Sequence, residues 1–190
     1  MAIAYKKCPD CGSNNSVKIV YGMPNYELFL EAEAGKVKLG GCVISLSDAE
    51  YCCKDCAHEW NREQAIDAAY HKIKTIKAFV GGHFGPNYEV TLDLDHLETT
   101  WSLIEGELEE TSKKTIRVST AKALIETLKM INVLNWKSKY IDPGMCDGTH
   151  WSVEILTDGR SIKKYGDNMF PEDWELFCRL IRRITNRKFE

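Results

Sequence analysis

The chain has 190 residues, 44% of them hydrophobic and 28% charged, a balance that is typical of a globular protein and excludes an intrinsically disordered one. Its formal net charge of -3 argues against broad electrostatic binding to nucleic acid, although a local basic face is compatible with it. The N-terminal segment lacks the apolar stretch of a secretion signal, and no later run reaches the roughly 20 apolar residues of a membrane span. We therefore expect a cytoplasmic protein with reduced thiols and no membrane partner.

Two Cys-x-x-Cys pairs stand in the first third of the chain, Cys8 with Cys11 and Cys53 with Cys56. This spacing lets two sulfurs reach one tetrahedral ion while backbone amides of the turn donate to them, and two pairs complete a four-thiolate shell. A closed shell leaves no position for water. We therefore predict one structural Zn²⁺ ion that supports folding and takes no part in catalysis.

Three further residues compete for a role at this site. Cys52 adjoins the second pair, but Cys53 is the one that keeps the two-residue spacing to Cys56. We expect Cys42 to be a small buried hydrophobe beside the site. His58 is expected to pack around the second pair, and to be a ligand only if one thiolate is not.

The segment between the two pairs is longer than in a common zinc ribbon and must contain structure of its own. Residues 26–34 have the pattern of a short helix, with Asn25 as its cap and Gly35 as its stop. Residues 37–44 then predict a strand that contains glycine. Apolar residues in this segment are candidate contacts for a partner, and ordinary core packing is the alternative. They are Tyr21, Met23, Tyr26 and Phe29.

The N-terminal third carries four motifs in order: Cys-Pro-Asp-Cys-Gly-Ser at 8–13, Tyr-Gly-Met-Pro at 21–24, Gly-Gly-Cys at 40–42 and Cys-x-x-Cys-x-His-x-Trp at 53–60. This pattern resembles the zinc-ribbon opening of a group of uncharacterised bacterial proteins with a C-terminal α+β domain. Residues 147–151 and 165–171 are similar to the remainder of such proteins. The resemblance implies a zinc ribbon and a bound zinc ion, and it transfers no activity. Ala57 departs from the pattern, because ribbons of this kind usually have glycine there.

The composition changes near residue 60, since six of the eight cysteines precede it and the longer alternating segments follow it. We divide the chain into a zinc-ribbon module at 1–60, a helical connector at 61–71 and an α+β domain at 72–190. The predicted class is α+β: an N-terminal four-cysteine zinc ribbon with a helical insertion, then an antiparallel sheet with two packed helices.

Two strand signals lie in the predicted α+β domain. Apolar and polar residues alternate from Tyr88 to Leu94, which predicts a half-buried strand. A similar alternation from Trp151 to Ile155 precedes Asp158 and Gly159, a pair that favours a tight turn, so we predict a hairpin there.

Two helices are also predicted in this domain. Ser119 or Thr120 can cap the first, which carries apolar residues at helical spacing from Ala121 to Ile131. The second is predicted to begin at Pro171, where a missing amide donor costs nothing. Its predicted buried stripe is Trp174, Phe177, Cys178, Ile181 and Ile184.

A basic stripe is predicted on the terminal helix. It consists of Arg179, Arg182, Arg183 and Arg187. Such a stripe can contact phosphates or an acidic partner, and the alternative is a solvated face that complements the helix dipole. Residues 89–110 hold eight carboxylates and no Lys or Arg, so the two patches could also face each other.

Two loops carry weaker functional signals. Residues 142–151 combine an acid, the thiol of Cys146 and the imidazole of His150, which could form a nucleophile and its base, although turn-forming residues favour a structural loop. Residues 165–171 place a glycine and acceptor side chains just before a helix, and a simple turn is again the stronger interpretation.

The leading hypothesis is a non-enzymatic zinc-binding protein that recognises another protein, as an interaction or adaptor module. Nucleic-acid binding through Lys6, Lys7 and Lys18 together with the basic helix is the alternative, and it predicts an affinity that falls steeply with salt. A third reading is an enzyme that uses Cys146 and His150, in which replacement of Cys146 abolishes activity.

Overall fold

The computed structural model describes residues 3–43, 45, 47–142, 144 and 148–190. Within these residues the protein is α+β, with four α-helices and two sheets of four and seven strands. It divides into two compact units, residues Ile3–Ala69 and Tyr70–Glu190. Each helix in the described ranges is too short or too polar to span a lipid bilayer.

The N-terminal unit contains a four-stranded sheet and one short helix. Its elements are β1 Ser16–Val20, α1 Tyr26–Glu33, β2 Val37–Leu39, β3 Tyr51–Cys53 and β4 Glu59–Trp60. The strand order is β2-β1-β3-β4, with β2 parallel to β1 and the other pairs antiparallel. Ser16 lies opposite Cys53 in this register, so the loop that precedes β1 lies beside the end of β3.

Helix α1 forms where it was predicted. The Asn25 side chain accepts a hydrogen bond from the amide of Leu28 at 2.8 Å, and Gly35 follows the helix with a positive φ of 67°. The strand predicted over 37–44 ends earlier, at Leu39. Two glycines follow Leu39 and carry no side chain to pack against a neighbouring strand, and Ile44 lies outside the described residues.

The predicted connector at 61–71 contains helix α2, Arg62–His71. Asn61 and Gln64 form a capping box at its start, in which each side-chain oxygen accepts from the backbone amide of the other residue at 2.9 Å. The boundary between the two compact units falls within this helix.

The C-terminal unit is a seven-stranded sheet with two α-helices and one short 3-10 helix, Val133–Asn135. Its strands are β5 Ile73–Gly82, β6 Asn87–Asp93, β7 Glu98–Glu105, β8 Leu108–Thr115, β9 Lys139–Ile141, β10 Thr149–Thr157 and β11 Arg160–Asp167, and its helices are α3 Val118–Met130 and α4 Trp174–Thr185. The strand order is β8-β7-β6-β5-β10-β11-β9. All neighbours are antiparallel except β9, which pairs in parallel with β11, so the predicted antiparallel sheet needs one correction at its edge.

The core of this unit follows the predicted hydrophobic patterns. In β6 the side chains of Tyr88, Val90 and Leu92 are buried while the residues between them are partly or fully exposed. β10 and β11 form the predicted hairpin, and Gly159 supplies the positive φ of its turn, 80°. All five predicted stripe residues of α4 are buried.

Both predicted helix starts in this unit are displaced by a few residues. α3 begins after Arg117, whose carbonyl accepts from the amides of Thr120 and Ala121, so neither Ser119 nor Thr120 is the cap. α4 begins at Trp174 and has Asp173 as its N-terminal flanking residue. Pro171 lies in a preceding turn, in which its carbonyl accepts from the Trp174 amide at 3.0 Å.

Candidate metal centre

Both Cys-x-x-Cys segments share one backbone conformation. The Gly12 amide donates to the Cys8 carbonyl at 3.1 Å, and the Ala57 amide donates to the Cys53 carbonyl at 3.0 Å. Gly12 and Ala57, which close the two turns, have positive φ angles of 73° and 59°. The pairing of β1 with β3 brings these two equivalent turns together.

The four predicted cysteine ligands converge at this point. The sulfur atoms of Cys8, Cys11, Cys53 and Cys56 all lie within 4.8 Å of one another. The Cys8 and Cys56 sulfurs are 3.7 Å apart, and those of Cys11 and Cys53 are 3.6 Å apart. A tetrahedral ion with metal–sulfur bonds of about 2.3 Å separates its ligands by about 3.8 Å, so the cluster fits a single four-coordinate metal ion.

The other two cysteines of the N-terminal unit lie outside the cluster. Successive side chains of a strand point to opposite faces, and the Cys52 sulfur accordingly lies near the ammonium of Lys38, at 3.8 Å. The prediction that Cys42 is buried is wrong, because the structure exposes it. Cys42 lies beyond the end of β2 at Leu39, after the two glycines that follow the strand.

A polar network joins the two turns. The Asp55 carboxylate accepts hydrogen bonds from the Ser13 hydroxyl and, at 2.6 Å, from the side-chain amide of Asn15. The Ser13 hydroxyl in turn accepts a hydrogen bond from the backbone amide of Asn15 at 2.9 Å. These hydrogen bonds lower the pKa of the Asp55 carboxyl. This network was not predicted from the sequence, although the position of Asp55 between Cys53 and Cys56 was a usable signal.

The sulfur cluster is part of a small hydrophobic core. Trp60 is completely buried, stacks on the Tyr51 ring at a centroid distance of 5.8 Å and donates from its indole nitrogen to the Tyr5 carbonyl at 2.8 Å. The His58 ring also stacks on this indole, at a centroid distance of 6.0 Å, and does not belong to the sulfur cluster. Cys8 and Cys53 are buried members of the same core. A metal ion bound by these cysteines would therefore stabilise the N-terminal unit at its hydrophobic core.

The pKa values of two thiols in the cluster are shifted in opposite directions from the ordinary value of a cysteine. Burial raises the pKa of the Cys53 thiol, but hydrogen bonds from the amides of Cys56 and Asp55 outweigh burial and lower this pKa to about 7. The His58 amide lowers the pKa of the Cys56 thiol, but burial and the neighbouring sulfurs raise it to about 12. Metal binding requires the thiolate form of these side chains and would release their protons.

The candidate partner contacts of the N-terminal unit are mostly exposed. Met23 is 90% exposed, Tyr26 is 76% exposed and Phe29 is 47% exposed. Helix α1, which carries Tyr26 and Phe29, has no buried residue, and Met23 precedes the helix, so core packing does not account for these three side chains. Tyr21 differs, because its hydroxyl donates to the Ala49 carbonyl at 2.9 Å and its ring lies against Gly40.

Three of the four arginines in the basic stripe have carboxylate partners. The pairs are Arg179 with Glu175 at 2.9 Å, Arg182 with Glu190 at 3.2 Å and Arg187 with Glu110 at 2.9 Å. Arg187 also lies over the Trp101 ring, 5.2 Å from its centroid. The acidic stretch therefore faces the stripe at Arg187. Arg183 instead lines a cavity next to α3.

The two loops with weaker functional signals are residues 142–151 and 165–171. Part of the first loop, including Cys146, lies outside the described residues, and side chains of both loops form structural contacts. The His150 ring is paired with the Asp167 carboxylate on the adjacent strand. In the 165–171 segment, the Asn168 side chain accepts from the Thr149 amide at 2.9 Å. That hydrogen bond uses one of the acceptors that could otherwise have faced a ligand.

No protein-family model matches the sequence, and no curated protein matches it significantly. The features that bear on function are therefore the four-sulfur cluster, the exposed residues of α1 and the distribution of charged groups around α4.

Proposed function

We propose that this is a non-enzymatic zinc-binding protein whose N-terminal unit is a zinc ribbon, and that it serves as an interaction or adaptor module for another protein. The observation that carries the proposal is the convergence of four cysteine sulfurs within 4.8 Å, without a fifth ligand in the described residues. Zinc suits this donor set because it accepts four thiolates in a tetrahedral shell and has no redox chemistry. The likeness of the cysteine and glycine motifs to bacterial zinc ribbons supports the same assignment.

A structural role for the metal follows from the shell and from its surroundings. Four protein ligands leave no open position for substrate or water. The buried apolar core around the cluster is small, so the free energy of metal binding would make up a large share of the folding free energy of the unit.

Metal content tests the first half of the proposal. Elemental analysis and native mass spectrometry of the purified chain should find one zinc ion per chain. Cys53→Ser should lose it, because one thiolate of the shell is missing. Cys52→Ser is the matched control, since it removes the adjacent thiol that lies outside the cluster, and it should retain the zinc ion.

Three outcomes contradict the zinc assignment. The first is a chain that contains no metal, and the second is a Cys53→Ser variant that keeps its full zinc content. The third is iron in place of zinc, which would be recognised by visible thiolate-to-iron absorption, because a four-thiolate site also suits iron.

The face of α1 supports the second half of the proposal. Tyr26, Phe29 and Leu30 are exposed on one short helix, and Met23 lies just before it. Glu27, Glu31 and Glu33 are exposed on the same helix. A helix with exposed apolar side chains between carboxylates fits a partner protein with an apolar groove and a basic rim.

Photo-crosslinking tests this surface. A photoreactive residue in place of Phe29 should crosslink to a partner in cell extract, and the partner should then bind the full-length chain when both are pure. Phe29→Ser should weaken that binding about tenfold or more, as loss of an aromatic anchor does. Leu176→Ser is the control, because Leu176 is 46% exposed and Phe29 is 47% exposed. Equal binding by wild type and Phe29→Ser would contradict the proposed surface.

The nucleic-acid alternative combines Lys6, Lys7 and Lys18 with the basic helix, and the helix part of it receives less support. A stripe that binds a phosphate backbone needs uncompensated cations, and glutamates neutralise three of its four arginines. The alternative predicts oligonucleotide affinity that falls steeply with salt, and an affinity independent of salt would exclude it.

A further inference from the structure

The C-terminal unit contains a cavity of about 550 Å³ between the end of β8, the start of α3 and the last turns of α4. Its size falls within the range of small-molecule binding sites. The cavity belongs to one compact unit and does not involve the cysteine cluster.

Three cationic side chains line this cavity: Lys114, Arg117 and Arg183. The lining contains no Asp or Glu, and no ion pair of these three residues occurs within the described ranges. The Lys114 ammonium instead lies 3.5 Å from the Ile184 carbonyl near the end of α4. The other three arginines of the basic stripe are each paired with a carboxylate. Arg183 instead lines a cavity together with two other cationic side chains.

Neutral donors surround the same space. Thr115, Ser119 and Thr120 line the cavity and bring hydroxyl groups to it. α3 starts here without a side-chain cap and without an acidic residue in its first turn. The amides and positive dipole at this helix start add to the attraction that the three cations exert on an anion.

The remaining walls are apolar. Leu124, Leu180 and Ile184 line the cavity, and a phosphate group alone would leave this part of the volume empty. Guanidinium groups suit phosphate because they donate two parallel hydrogen bonds to its oxygens. The cavity therefore offers a charged part for an anion and an apolar part for an organic group.

We propose that this cavity binds the phosphate group of a small phosphorylated molecule. The phosphate would interact with Lys114, Arg117 and Arg183, and the organic part of the molecule would contact the apolar wall. A polynucleotide is the less suitable ligand, because the cations converge on one cavity and the arginines beside it are already paired with glutamates.

A nuclear magnetic resonance titration of the full, zinc-loaded chain tests the proposal. Inorganic phosphate and phenyl phosphate should each shift the amide signals of Ser119 and Thr120 in a saturable way, and phenyl phosphate should bind more tightly because it also reaches the apolar wall. Arg183→Gln should weaken phenyl phosphate binding about tenfold, as expected for the loss of a charge-assisted contact. Arg183→Lys should weaken it less, because it keeps the charge and loses the paired donors.

Arg179→Gln is the matched control, since Arg179 lies one turn away on α4 and is paired with Glu175. It should change the affinity for phenyl phosphate less than twofold. The absence of saturable shifts, or an equal loss of affinity in the Arg179 and Arg183 variants, would overturn the proposal. Tighter binding of a single-stranded oligonucleotide, weakened equally by both variants, would also overturn it and would identify a polynucleotide ligand. None of these outcomes affects the zinc content, which tests the proposed function separately.

Discussion

Ala57 occupies the left-handed backbone region at the end of the second Cys-x-x-Cys turn, with a φ of 59°. An L-residue with a Cβ atom costs roughly 1–2 kcal/mol in this conformation, whereas glycine adopts it freely. We expect Ala57→Gly to raise the free energy of unfolding of the N-terminal unit by about 1 kcal/mol. Urea denaturation of wild type and variant measures the difference.

Gly12 provides the reciprocal test in the first turn, where φ is 73°. A Cβ atom added there would meet nothing closer than the Lys7 side chain at 3.8 Å, so no clash would add to the backbone strain. Gly12→Ala should therefore lower the free energy of unfolding by about 1 kcal/mol. For the second turn, equal free energies of unfolding of Ala57→Gly and wild type would show that Ala57 adopts its positive φ without backbone strain.

Lys164 is buried in the C-terminal unit, with 1% of its surface exposed, and its ammonium donates to the carbonyls of Leu134, at 3.1 Å, and Trp136. Burial lowers the pKa of this side chain. The unfolded chain therefore binds more protons between the folded pKa and the ordinary value of about 10.4, and the free energy of unfolding rises with pH across that interval.

The variant Lys164→Met leaves two buried carbonyls without their donor. We expect it to lower the free energy of unfolding near neutral pH by about 2 kcal/mol, and to remove the lysine contribution to the rise of stability at alkaline pH. Urea titrations of both proteins over a pH series measure the two effects. An unchanged pH dependence in the variant would show that another group causes the rise.

At the scale of elements, helix α1 forms in the N-terminal unit although none of the helix side chains is buried. Truncation of an exposed side chain usually changes stability by less than about 0.5 kcal/mol, so Phe29→Ser should leave the free energy of unfolding nearly unchanged. Ile19→Ala is the comparison in the same unit. Ile19 is a buried residue of β1, 4% exposed, and its truncation should cost about 2–5 kcal/mol.

This pair of variants separates a folding role of α1 from a binding role. Thermal unfolding followed by circular dichroism gives both values. A large loss of stability in Phe29→Ser would assign the ring to packing and would remove the main support for a partner surface on this helix.

At the scale of the whole molecule, the two compact units differ in how much apolar core they contain. The described core around the cysteines is small, whereas the C-terminal unit buries both its central strands and the stripe of α4. Chelation of the proposed metal ion should therefore unfold Ile3–Ala69 and leave the sheet of Tyr70–Glu190 folded. Hydrogen exchange with mass spectrometry should show faster exchange in β1 and β3 and no change in β6 and β10.

The control for this experiment is Cys53→Ser, which should give the same exchange pattern without a chelator. Faster exchange throughout the chain after chelation would show that the second unit also depends on the metal. Slow exchange in β1 and β3 without metal would show that the apolar packing holds the first unit alone.

The local pattern of the sequence determined much of the fold. The β6 alternation, the Asp158-Gly159 hairpin, the Asn25 cap of α1 and the buried stripe of α4 depend on neighbouring residues, so one sequence window contained each signal. The spacing of the two cysteine pairs likewise predicted which four sulfurs converge, since Cys53 keeps the two-residue spacing to Cys56. In the structure, strand alternation also separates Cys52 from Cys53.

Only the tertiary structure decided the features that depend on distant residues. Three such features are the exposure of Cys42, the pairing of Arg187 with Glu110 and the parallel edge strand β9. Each depends on which distant segments of the chain pack together. The cavity of Lys114, Arg117 and Arg183 belongs to the same group, since a strand end, a helix start and a second helix contribute one cation each. Charge and hydrophobicity in sequence give each residue its chemistry, but long-range packing sets which charges are neutralised and which remain available to a ligand.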